Sequence, residues 1–173
     1  MNDFFQALTG IGAIGTAIAA WVAFGQLKQM KISLDDTRNW NKLSTAFNLF
    51  PNTHEFNEIE QQLNKSCIKL IDRNSPLTQA ELDELLSPEQ SDTRILLKNY
   101  LNELESYCTA VNMGVADEGA AKRKYSHKIE RHFIEMKPYI DNMRAVHNTK
   151  GLFVEIEILV NKWQCKQEQD PSY

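Results

Sequence analysis

The chain has 173 residues, 24% of them charged and 42% hydrophobic, with a formal net charge of −4 and three cysteines. That charge excludes a generally basic DNA-binding protein, and three widely spaced cysteines without a C-x-x-C pair exclude a disulfide scaffold and a cysteine zinc cluster. The length leaves room for one compact domain beyond any anchor.

Phe4 to Gly25 is an uninterrupted run of 22 residues without a charge. As a helix it is about 33 Å long, against a bilayer core of about 30 Å. A helix closes its own backbone hydrogen bonds, so such a run can cross hydrocarbon. Lys28 and Lys31 follow it, and only Asp3 and the terminal amine precede it. The positive-inside rule then places residues 1–3 outside as a short tail, 4–25 in the inner (plasma) membrane, and the remainder in the cytoplasm. Ala17-Ile18-Ala19 also fits a signal-peptide cleavage site, but the basic leader segment is missing. A buried soluble hairpin helix is the other alternative for this Gly- and Ala-rich run. Gly12, Thr16 and Ala20 recur every four residues, as do Gly15 and Ala19, a spacing that lets helix backbones approach in lipid. The run therefore predicts a homo-oligomer.

Beyond residue 25 the chain reads as helix throughout, with glycine only at positions 114, 119 and 151. Residues 26–50 form an amphipathic stalk carrying Leu27, Met30, Leu34, Trp40, Leu43, Phe47 and Phe50, ended by Pro51. Residues 51–166 form the helical domain. A helix over 54–71 comes first, then a loop at 72–76. Thr78 with Glu81 predicts a capping box and a short helix to Leu86. Ser87 to Gln90 predicts a second box with Pro88 at the first helical position, opening a long helix with Leu97, Leu101, Leu104, Cys108 and Val111 on one face. Gly114 ends that helix, and Asp117 caps the next, which Pro138 is expected to kink or break near Met136. After a turn at 148–151 the last helix carries Leu152, Ile156, Leu159 and Trp163, and residues 167–173 are expected as a disordered tail. The fold class is all-α: an N-terminal transmembrane helix followed by a cytoplasmic helical bundle.

No nucleophile elbow, phosphate-binding glycine loop or H-E-x-x-H occurs. His127 with Glu130 is the nearest approach to a metal pair, and no Glu-x-x-His element accompanies it. The reading is therefore not an enzyme, with no catalytic residues, no metal and no cofactor. Charge is segregated: eleven acidic against five basic residues over 54–105, and five against eight over 115–150. Lys122, Arg123, Lys124, His127 and Arg131 crowd one predicted helix, with Lys128 among them. Such a face could grip phosphates, touch anionic lipid heads, or stay solvated. Arg38 and Asn39 beside Trp40 form a second candidate set, with planar donors next to a stacking surface. The ligand-binding candidates are thus Arg38, Asn39, Lys122, Arg123, Lys124, His127 and Arg131.

Tyr100–Glu105, Val111–Glu118 and Phe153–Trp163 resemble, in order and spacing, a family of small bacterial proteins of unassigned function with one N-terminal membrane helix and a cytoplasmic helical domain. The layout is also similar to a membrane effector of CRISPR antiphage systems. That resemblance implies a cyclic oligoadenylate ligand, cyclic tetra-adenylate above all, a tetrameric assembly and membrane disruption on activation. The alternative is a membrane-tethered helical scaffold that recruits a protein partner through its acidic half.

Overall fold

The computed structural model describes residues 2–51, 58, 61 and 75–169. Its elements are α1 (Asn2–Asn48), α2 (Gln79–Leu86), a single 3-10 turn (Pro88–Gln90), α3 (Ser91–Asn112), α4 (Glu118–Val146) and α5 (Val154–Gln169). Among the described residues there is no strand, and the chain is all-α. The helix expected over 54–71 lies outside the described residues except at 58 and 61, which are helical; most of the loop at 72–76 lies outside them too.

The chain divides into two compact units, Met1–Asn41 and Lys42–Tyr173, with the division inside α1. In the first, α1 is helical throughout, and every residue from Ala19 to Asn41 is exposed. Among the described residues no helix is long and apolar enough to cross a membrane. Most side chains of the apolar run Phe4–Gly25 lie outside that set.

In the second unit, α3 is the central element. Its Leu97, Leu101, Leu104, Cys108 and Val111, at steps of three and four, are all buried. They pack against Ile156, Leu159, Val160 and Trp163 of α5, the most extensive helix pair in the unit. Each such leucine contributes about 2 kcal/mol by leaving water. Ala120 and Ala121 bring the first turn of α4 close to the core. Trp40, expected on the same stripe as Leu43 and Phe50, is instead 69% exposed.

The helix ends follow local chemistry. The Thr78 amide donates to Glu81 Oε2 at 2.8 Å, and the Glu81 amide donates to Thr78 Oγ1 at 3.4 Å, a reciprocal capping box. Ser87 makes no such side-chain bond, so residues 88–90 form a 3-10 turn and α3 starts at Ser91. Gly114 takes φ +70, which lets the amides of Val115 and Ala116 reach the carbonyl of Ala110. Asp117 accepts from the Ala120 amide at 2.7 Å and starts α4.

Pro138 does not break α4, which continues to Val146. The lost bond falls on the carbonyl of Ile134, a residue 38% exposed, where water can replace the missing donor. Buried Tyr139 and Ile140 then hold the following turns on the core. At the other end of the chain the backbone stays helical to Gln169, so the expected tail at 167–173 starts inside α5. Residues 170–173 lie outside the described set.

The start of α5 is capped from a distance. Glu105 of α3 accepts from the amides of Glu155 and Ile156, both at 3.0 Å. Burial raises its carboxyl above the usual range, and those two backbone donors oppose the rise. Arg144 closes the preceding turn: Nε donates to the carbonyl of Leu152 at 2.9 Å and Nη1 to Glu157 at 2.8 Å. These bonds support the left-handed backbone of Phe153, at φ 56.

Glu105→Ala removes a cap and strands two helix-terminal donors. We expect a loss of about 2 kcal/mol in urea unfolding at pH 7.5. A loss below about 0.5 kcal/mol would show that water caps α5 equally well.

Candidate functional site

The first half of α4 carries the basic face. It begins where the Asp117 amide donates to the carbonyl of Lys42 at 3.0 Å, so the start of α4 is tied to the last turns of α1. Arg123, Lys124 and His127 are exposed, while Lys122, Lys128 and Arg131 are half-buried.

An aromatic floor lies beneath two of the lysines. Phe50 stacks flat on Tyr125, with centroids 3.9 Å apart and planes 1° from parallel. Tyr107 meets both rings edge-on, at 5.1 Å and 5.9 Å. Its hydroxyl donates to the carbonyl of Ala46 at 3.0 Å, near the end of α1. Lys124 Nζ sits 4.7 Å from the Phe47 centroid and 5.2 Å from that of Tyr125. Lys128 Nζ lies 5.7 Å from the centroid of Phe50. Burial lifts the Tyr107 phenol far above its ordinary range, so it stays a donor at any physiological pH.

The remaining predicted cations face other groups. Lys122 Nζ approaches the carbonyl of Trp163 on α5 at 3.5 Å. Arg131 Nε lies 3.6 Å from the buried carboxylate of Glu135. Half-buried Glu130 has its carboxyl pushed up by burial, with Lys122 and His127 pulling it down. Arg38 and Asn39 are exposed on α1 in the N-terminal unit, whereas the α4 residues belong to the C-terminal unit. Among the described residues no group of three His, Cys, Asp or Glu is placed to hold a metal ion.

Four features lie outside the predicted set. Lys128 shares the aromatic floor with Lys124, as their spacing of four on one helix indicates. Phe47, Phe50, Tyr107 and Tyr125 form the floor itself; only the helical spacing of Phe47 and Phe50 is visible locally. Behind the basic face, Tyr100 Oη and His132 Nδ1 are 2.5 Å apart in the core. A shallow hollow of about 460 Å³ lies beside the end of α1, lined by Asn48, Phe50, Asn102, Glu103 and Ser106 and by none of the predicted cations.

These features define a class: an all-helical domain whose basic helix face rests on aromatic rings from the end of a long N-terminal helix. Residues 11–163 match the family model described as Domain of unknown function (DUF4760), and the chain belongs to that family. Comparison with curated proteins and with solved structures finds no match.

Phe50→Ala removes the stacked ring and leaves a cavity at the join between α1 and the bundle. The expected loss is about 3 kcal/mol in urea unfolding, with Phe50→Leu losing less than half as much. Equal losses would mean that the ring stacking, rather than the volume filled, accounts for the contribution of Phe50.

His132 supplies a pH dependence. Burial, with Lys128 and Arg131 adding to it, holds its pKa well below the ordinary value. The unfolded chain takes up a proton near pH 6.5 that the folded chain refuses, so stability falls as pH drops below about 6.5. The melting temperature should decrease from pH 7.5 to pH 5.5, and His132→Gln should flatten that decrease. An identical slope in the variant would assign the pH dependence to other groups.

Proposed function

We propose that the protein is a single-pass, membrane-anchored, non-enzymatic effector of CRISPR-type antiphage defence. Its cytoplasmic helical domain binds a cyclic oligoadenylate, cyclic tetra-adenylate first among them, and perturbs the inner membrane when activated. The anchor is Phe4–Gly25, supported by its length, its lack of charge and the helical backbone that runs through it. Small residues spaced by four in that run favour a homo-oligomer, read here as a tetramer, that repeats each basic face around one axis.

The observation that carries the reading is the position of Lys124 and Lys128. Both ammonium groups rest on ring faces of residues from the end of α1 or beside it. A cation–π contact at a partly exposed site contributes roughly 0.5–1 kcal/mol. A phosphate offers the same lysines charge-assisted bonds of about twice the ordinary strength. An anion gripped by Arg123, His127 and the two lysines therefore competes with Phe47 and Phe50 for Lys124 and Lys128. Binding would favour the arrangement in which the end of α1 is released, through its higher affinity for that arrangement. Arg38 and Asn39 are retained as a second contact set on α1.

The test uses the full-length protein in detergent, titrated calorimetrically with cyclic tri-, tetra- and hexa-adenylate at two salt concentrations. One ring size should bind, more weakly at the higher salt, with the ligand recovered intact. Arg123→Glu with His127→Glu should weaken binding at least tenfold without moving the melting temperature. Binding left intact by that double variant would overturn the α4 site. No binding of any ring would favour the tethered scaffold.

A further inference from the structure

From residue 19 to residue 41, α1 is exposed on all sides within its own unit. Beyond Gly25 the segment lies outside the proposed anchor, and a helix in water draws most of its stability from packing an apolar face, so residues 26–41 call for a partner. Its residues specify one. Ala23, Leu27, Met30, Leu34, Thr37 and Asn41 follow one another at alternating steps of four and three. That is a heptad seam with alternate positions a and d, starting from Ala23 at d. Leu27, Met30 and Leu34 at its centre are 64%, 62% and 67% exposed.

Charge and polarity fix the orientation of the partner. The flanking e positions hold Phe24, Lys31 and Arg38, and the g positions hold Gln26, Ser33 and Trp40. In a parallel pair each e position faces a g position of the other helix, so both cations meet uncharged residues. In an antiparallel pair e faces e, and Lys31 would oppose Arg38 across the seam. Asn41 occupies an a position, where a polar side chain is satisfied best by the same residue at the same level of a parallel copy. We propose that residues 20–41 are a parallel, in-register self-association surface, in which the partner is a second copy of this chain. This deepens the oligomeric part of the function proposed above and is independent of the ligand.

Cross-linking of the full-length protein in membranes tests it. Leu34→Cys places a thiol in the seam and Ile32→Cys places one on the opposite face. Under copper-phenanthroline oxidation, Leu34→Cys should give at least ten times the disulfide-linked dimer of Ile32→Cys or of the unsubstituted protein, which reports the native cysteines. Adding Met30→Asp to Leu34→Cys should lower that yield at least tenfold, with the melting temperature of the bundle unchanged. Equal yields at positions 32 and 34, or a yield insensitive to Met30→Asp, would overturn the seam. Stronger linkage in a mixture of Lys31→Cys and Arg38→Cys chains than in Leu34→Cys would overturn the parallel orientation. A failed seam with intact nucleotide binding would leave the ligand site standing, and the reverse result would leave the seam standing.

Discussion

The stack of Phe50 on Tyr125 is the contact on which the rest of the C-terminal unit turns. It lies where the end of α1 meets α3 and α4, and both flanking bonds depend on the same approach. Tyr107 reaches the carbonyl of Ala46 from α3, and the Asp117 amide at the head of α4 reaches the carbonyl of Lys42. The last turns of α1 are therefore part of the core, with Ala46 fully buried and Leu43 packed beside it. Removing the aromatic contact would expose two backbone carbonyls to competition and leave the N-cap of α4 without its neighbour.

The electrostatic consequence follows from the same geometry. In the first half of α4, Lys124 and Lys128 stand over ring faces, a weak attraction. Arg131 differs, because the buried Glu135 carboxylate lies next to it. A basic face built in this way divides into residues held against the protein and residues open to an incoming anion. That division separates Arg123 and His127 from Lys122 and Arg131, although all four lie within one predicted cluster.

Local chemistry made much of this legible in advance. The capping box at Thr78, the helix stop at Gly114, the cap at Asp117 and the buried stripe of α3 each depend on residues within a few positions of one another. Two local signals were overruled. Pro138 sits in a helix whose following turns are fixed by tertiary burial, and Ser87 opens a 3-10 turn instead of a capped α-helix. The aromatic floor was not legible, because Tyr107 and Ala46 are 61 residues apart and no periodicity connects them. Trp40 misleads for a related reason: it has the helical spacing of Leu43 and Phe50, but the core begins only at the following turn. The distant cap from Glu105 to the start of α5 is of the same non-local kind.

In the proposed mechanism an anion on α4 and the aromatic grip at the end of α1 compete for the same lysines. Hydrogen–deuterium exchange on the full-length protein, with and without cyclic tetra-adenylate, measures both ends together. Slower exchange over 118–131 and faster exchange over 42–50 are expected in the presence of ligand. Protection over 118–131 with unchanged exchange over 42–50 would contradict that competition, because the ligand would then occupy the face without loosening the end of α1.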